Sequence, residues 1–128
     1  MSEHSLQSLV IEWAQRHEGR HPELRWLHSS LNGIFIPGPR GLVARIINHM
    51  KQEGMKRGIA DLFLPVARRG FHGLYMELKR DESAKLKPEQ VEFLEFVASQ
   101  GYCDKVIRSY EEAVETLQWY LEPERQSA

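Results

Sequence analysis

Leu74-Tyr75-Met76-Glu77-Leu78-Lys79 alternates strictly, with Leu74, Met76 and Leu78 on one face and Tyr75, Glu77 and Lys79 on the other. A period of two predicts a half-buried strand. The short apolar run 59–66 just before it, bounded by turn residues, predicts a second strand. Ala67-Arg68-Arg69-Gly70-Phe71-His72-Gly73 joins the two, a linker suited to an antiparallel hairpin.

On either side of this hairpin the period changes to that of helices. Leu6, Leu9, Val10, Trp13 and Ala14 predict an amphipathic helix over 4–17, which Gly19 and Pro22 end. Residues 23–27 suggest one more helical turn. Leu31-Asn32-Gly33-Ile34-Phe35-Ile36 reads as an extended segment with an Asn-Gly turn inside it, followed by a loop at Pro37-Gly38-Pro39-Arg40-Gly41. Leu42, Val43, Ile46, Ile47 and Met50 predict a second helix, with Gly54 at its C-terminal cap. Beyond the hairpin, Pro88 opens a third helix whose stripe is Val91, Leu94, Val97 and Ala98, and Gly101 stops it. Residues 102–108 predict a strand, and the capping box Ser109-Tyr110-Glu111-Glu112 starts a last helix running to about residue 121. The expected order is α-β-α-β-β-α-β-α: an α/β domain, 1–128, with one mixed sheet flanked by helices.

Composition fits that picture and excludes several classes. The 128 residues are 41% hydrophobic and 27% charged, ordinary for a folded domain. No apolar run approaches membrane-spanning length, and Met1-Ser2-Glu3-His4 does not open a secretory signal. One cysteine, Cys103, excludes an internal disulfide framework and a multi-cysteine zinc site. A cytoplasmic domain is expected. The net charge of −1 points to no partner, but residues 1–60 carry eight Lys/Arg against five Asp/Glu and five of the six histidines. That half is the one able to face an anion.

The chemistry gathers around the hairpin. Glu77 and Lys79 share a strand face, and antiparallel pairing would bring Asp61 beside it. Two carboxylates and an ammonium pack poorly but suit a hydrolytic centre. The carboxylates offer hard oxygen ligands for Mg²⁺, a bound cation lowers the pKa of water and polarises a phosphoryl group, and the lysine orients that water or offsets charge in the transition state. A strand-end ion pair beside a solvent-facing Asp61 is the competing reading.

Around these residues the chain resembles a known family. Gly54-Met55-Lys56-Arg57-Gly58-Ile59-Ala60-Asp61-Leu62-Phe63-Leu64-Pro65, then Gly73-Leu74-Tyr75-Met76-Glu77-Leu78-Lys79, then Lys87-Pro88-Glu89-Gln90 look like the VRR-NUC branch of the PD-(D/E)XK nucleases. The likeness extends back to Asn32-Gly33 and the first helix, and forward through the last strand and helix. It implies a restriction-endonuclease-like core and hydrolysis of DNA phosphodiesters with Mg²⁺ or Mn²⁺. Asp61 and Glu77 would hold the metal with the backbone carbonyl of Leu78, Lys79 would be the catalytic lysine, and Gln90 would support the metal or its water. The family's first helix adds a glutamate. Glu3, one turn before Gln7, is the expected match, and Glu12 is the alternative. Stand-alone phage and bacterial relatives resemble homodimeric Holliday-junction resolvases, so a dimer acting on branched DNA is expected. Two positions depart from the family pattern: Ala60 stands where Pro is usual, and Lys87 where a capping Ser is usual.

Lys56 and Arg57 before Asp61, and Arg80, Lys85 and Lys87 after Lys79, flank the expected site as phosphate-positioning residues would. Asn32 joins them as a family-matched position. Solvated loop charge is the competing reading of the five cations, and a plain turn residue that of Asn32. Trp13, Trp26 and Trp119 are expected to pack in a core or interface, and Cys103 to be a small apolar strand residue. Two other functions compete: a DNA-binding module of the same fold without turnover, and a zinc protease. The latter rests on His17-Glu18-Gly19-Arg20-His21, which matches H-E-x-x-H in letters, although Gly19 and Pro22 oppose the continuous helix that motif needs.

Overall fold

In the computed structural model, which describes residues 1–122, the first helix, α1 (Glu3–Arg16), starts at a cap supplied by Ser2. The Ser2 hydroxyl accepts from the Ser5 N–H at 3.1 Å, satisfying one free amide of the first turn. Leu6, Val10, Trp13 and Ala14 are buried, so the face read from the periodicity is the one that packs. The helix ends before His17, and His21 lies beyond it at the entrance to a 3-10 turn, Pro22–Trp26. The two imidazoles are therefore not stacked on one helix as a zinc protease requires.

The first strand lies earlier than expected. β1 is His28–Ser29, and 31–36 is not a strand. The Ser29 and Ser30 hydroxyls accept from the N–H groups of Leu31 and Asn32, and Leu31 and Gly33 take φ of 64° and 77°. These side-chain turns compete with sheet pairing and bend the chain away before its apolar residues can join the ladder. Phe35 consequently stands 76% exposed. α2 (Arg40–Gln52) follows, and Gly54 at φ 113° closes it by donating its N–H to the Lys51 carbonyl.

The hairpin forms as its alternation dictates. β2 (Leu62–Leu64) pairs antiparallel with β3 (Leu74–Leu78), Leu62 opposite Met76 and Leu64 opposite Leu74. β2 is shorter than the apolar run 59–66 because Pro65 has no N–H to donate and because, at the other end, the Asp61 side chain takes the Leu78 N–H. From β3 the chain crosses over through α3 (Pro88–Ser99) to β4 (Cys103–Ile107), parallel to β3, and ends in α4 (Tyr110–Leu121). Ser109 caps α4 by accepting from the Glu112 N–H at 3.1 Å. The sheet order is β1-β2-β3-β4, mixed in direction.

The sheet has two unlike faces. Leu62, Leu64, Leu74, Met76, Leu78, Cys103 and Ile107 form one core with α1 and with Ala113, Leu117, Tyr120 and Leu121 of α4. The Tyr120 hydroxyl donates to the Val66 carbonyl at 2.6 Å, which lets a phenol sit in that core. On the other face α3 approaches β3: the Phe93 ring meets Tyr75 edge-on, and Gln90 reaches Glu77. Trp13 is buried as expected, but Trp26 and Trp119 are 59% and 39% exposed; Trp119 lies beneath the cations of Arg69 and Lys105 rather than in the core. Among the described residues, no helix is long and apolar enough to cross a membrane.

Candidate active site

Period-two alternation puts Glu77 and Lys79 on the face opposite the main core, and α3 then covers them. Both are buried, at 2% and 5% exposure, which is rare for such groups and needs compensation. The Lys79 Nζ lies 4.0 Å from the Glu77 Oε1. That oxygen also accepts from the Gln90 Nε2 at 2.8 Å. Gln90 works from both ends, since its Oε1 accepts from the Lys87 N–H at 2.8 Å. The amide thus makes the reciprocal half of a capping box, taking the N–H of the residue before α3, and aims its NH₂ at Glu77. Asp61, one residue before β2, accepts from the Leu78 N–H at 2.7 Å through its Oδ2. Within this cluster the Glu77 Oε2 is buried and makes no hydrogen bond.

The electrostatics follow from that crowding. Burial raises the Glu77 carboxyl to about 8, with the Asp61 charge adding to the rise and Lys79 opposing it. Burial also raises Asp61, against the pull of the Leu78 N–H and with a push from the Glu3 charge. Desolvation and mutual repulsion together disfavour two anions side by side, so the pair holds a proton at neutral pH unless another cation joins it.

A cavity of about 520 Å³ opens over these groups. Of the residues expected from the sequence, Glu3, Asn32, Asp61, Arg57, Glu77, Lys79, Lys87 and Gln90 all line it. Glu12 does not; it faces a separate groove on the outer side of α1. Asn32 donates an Nδ2 hydrogen to the Ile59 carbonyl at 3.1 Å, tying the turn after β1 to the loop that leads to Asp61. Lys56, Arg80 and Lys85 are exposed and lie outside the cavity lining, with Arg80 beside Asp81 at 3.6 Å. The loop carrying Lys85 is fixed by Arg108, whose Nη1 donates to the carbonyls of Asp81 and Ala84 at 2.9 and 2.6 Å.

The sequence reading missed Ile47, Lys51 and Glu89, which also line the cavity. Ile47 and Lys51 are one helical turn apart, so a shared face of α2 was the available signal. Gly58 was missed as well. It takes φ 85°, and a Cβ there would collide with the Glu89 carbonyl, so only glycine lets the loop before Asp61 rest on the first turn of α3.

Among the described residues, no three His, Cys, Asp or Glu side chains converge into a metal cluster. The donor set is two carboxylates, with Glu3 across the cavity acting through its charge. Mg²⁺ and Mn²⁺ accept such a set, since hard cations bind through one or two carboxylates and keep several waters. The unpartnered Glu77 Oε2 and the raised carboxyl pKa values are what a divalent cation would relieve.

Comparison with known proteins agrees with this geometry. No curated protein matches the chain. A solved structure described as "VRR_NUC domain protein" superposes with a TM-score of 0.74 at 27% identity, over 94% of this chain and 88% of that one. The likeness is consistent with a PD-(D/E)XK-like fold. The family model for the VRR-NUC domain matches residues 1–111, a span containing every side chain of the buried carboxylate site. With both the sequence match and the sheet around Asp61, Glu77 and Lys79 in agreement, the chain belongs to the VRR-NUC domain family, a family of nuclease-type domains.

Proposed function

We propose that this chain is a Mg²⁺- or Mn²⁺-dependent DNA endonuclease, a single-domain enzyme of the cytoplasm that cuts branched DNA as a homodimer. The observation that carries the reading is the buried Glu77 carboxylate with an unpartnered Oε2, set between Asp61, Lys79 and Gln90 at the floor of a cavity. Asp61 and Glu77 would hold the cation with the Leu78 carbonyl, and Glu3 would steady its outer waters from the far wall. The cation supplies Lewis-acid polarisation of the phosphate and a water of lowered pKa. Gln90 fixes the rotamer of Glu77, so the carboxylate is ready before substrate arrives. Lys79 orients the attacking water and offsets the charge that builds on the phosphate oxygens, from a site dry enough for that charge to count. Arg57 and Lys87 on the rim, with Lys56, Arg80 and Lys85 farther out, hold the flanking phosphates. A two-fold dimer would offer one such site to each of two strands, as a junction requires.

The test is cleavage of a labelled four-way junction and its linear duplex control in Mg²⁺, Mn²⁺ and EDTA, with Lys79→Ala in parallel. Metal-dependent cuts near the branch point, reduced about 10²–10⁴-fold in Lys79→Ala with folding and DNA binding intact, are the expected result. Tight binding with no cleavage under any metal would instead mark an inert DNA-binding module. Sedimentation of the free protein should give twice the 14.9 kDa chain mass; a monomer at micromolar concentration would remove the dimer.

A further inference from the structure

Residues 24–52 contain four Lys/Arg and no Asp or Glu. This acid-free stretch runs from the 3-10 turn through β1 and the 30s turn to the end of α2, and it forms one wall of the cavity through Asn32, Ile47 and Lys51. None of the thirteen residues of α2 is buried, although Leu42, Val43, Ile46 and Ile47 make an apolar stripe. Lys51 lines the cavity; by helical spacing Arg40 falls on the same side of the stripe as Lys51, and Arg45 on the other. All three are exposed, and among the described residues none is in an ion pair. Phe35, just ahead of the helix, is the most exposed large apolar side chain.

We propose that this stretch is a DNA-gripping arm: Arg40, Arg45 and Lys51 hold backbone phosphates, and Phe35 packs on a base unstacked at the branch. The inference rests on the nuclease reading and adds the surface that presents the strand to the site. Charge decides the occupant. Unpaired cations bracketing an apolar strip fit a polyanion with apolar base and sugar faces. A two-fold contact through the same face would set these cations against their own copies, with no carboxylate on the arm to offset them. The opposite rim carries Arg57 and Lys87, so a strand crossing the cavity meets cations on both sides of Asp61 and Glu77. An exposed aromatic beside a cleavage site also matches the wedges by which proteins hold a duplex open.

The experiment measures binding of a fluorescein-labelled four-way junction and a linear duplex in EDTA across a salt series, with sedimentation of each protein. The proteins are wild type, Arg40→Glu/Arg45→Glu and Phe35→Ala. The double variant should bind both DNAs about tenfold or more weakly, with the slope of log affinity against log salt flatter by about 2 and its mass unchanged. Phe35→Ala should weaken the junction more than the duplex. Wild-type affinity and slope in the double variant would overturn the arm; if its mass also changed, the face would belong to a second copy. Equal affinity of Phe35→Ala for the junction would overturn the stacking contact. Wild-type protein that binds through these residues but does not cut in Mg²⁺ or Mn²⁺ would sink the nuclease reading while supporting the arm. Wild-type protein that binds no DNA would overturn the arm itself.

Discussion

Glu77 concentrates the physics of this protein in one side chain. Its carboxyl stands at about 8 against an ordinary 4.5, so between those values the folded chain holds a proton that the unfolded chain has released. Wherever the native state binds more protons, stability falls as pH rises. In metal-free protein Glu77 therefore favours folding below about pH 4.5 relative to higher pH, and its penalty grows until about pH 8 and then levels off. Glu77→Gln should abolish that component while keeping the contact with Gln90. In urea unfolding with EDTA, the stability of the variant relative to wild type should climb across this window and then plateau. A difference that does not change with pH would show that the proton sits elsewhere. Lys79 cannot relieve the penalty alone, because at 4.0 Å its ammonium faces an Oε1 already shared with Gln90, leaving Oε2 bare.

Elements matter here through where they touch. The loop before β2 carries Asp61 and the first turn of α3 carries Gln90, and Gly58 is where the two meet. Gly58→Ala adds a methyl group at a positive φ and against the Glu89 backbone. It should lose about 1–3 kcal/mol of stability, and kcat should fall by more than that loss explains, because Asp61 and Gln90 are pushed apart. A variant with wild-type kcat and lowered stability would limit Gly58 to folding. At the opposite end of the sheet, Tyr120→Phe leaves the Val66 carbonyl without its donor and should cost about 1–2 kcal/mol by thermal unfolding. It lies in the main core, away from the cavity, so activity measured well below the melting temperature should be unchanged.

Across the whole molecule, the proposed metal-dependent chemistry would link the site to the stability of the fold through the cation. Binding Mg²⁺ requires the Asp61–Glu77 pair to release its proton, so affinity should rise with pH. Ligand binding to the native state raises Tm by mass action. The Mg²⁺-dependent rise in Tm should accordingly be small at about pH 6 and larger at about pH 8, and it should vanish in Asp61→Ala; an equal rise at both pH values would mean the ion binds elsewhere. The sequence alone determined the hairpin, the four helices and the convergence of Asp61, Glu77 and Lys79, because each rests on local periodicity or on antiparallel pairing between neighbours in the chain. The strand alternation at 74–79 fixed which side chains share a face before any helix was docked. Tertiary structure decided the rest. Segment 31–36 has strand composition, yet serine-capped turns and positive φ values carry it off the sheet, an outcome set by competing hydrogen bonds rather than by hydropathy. Gln90 holds the Lys87 N–H locally, but its second bond, to Glu77, exists only because α3 approaches β3. Lys51 and Glu89 reach the cavity from distant parts of the chain, and the raised carboxyls exist only because packing removes water from them. Residue spacing specifies faces; desolvation and long-range contact belong to the folded molecule.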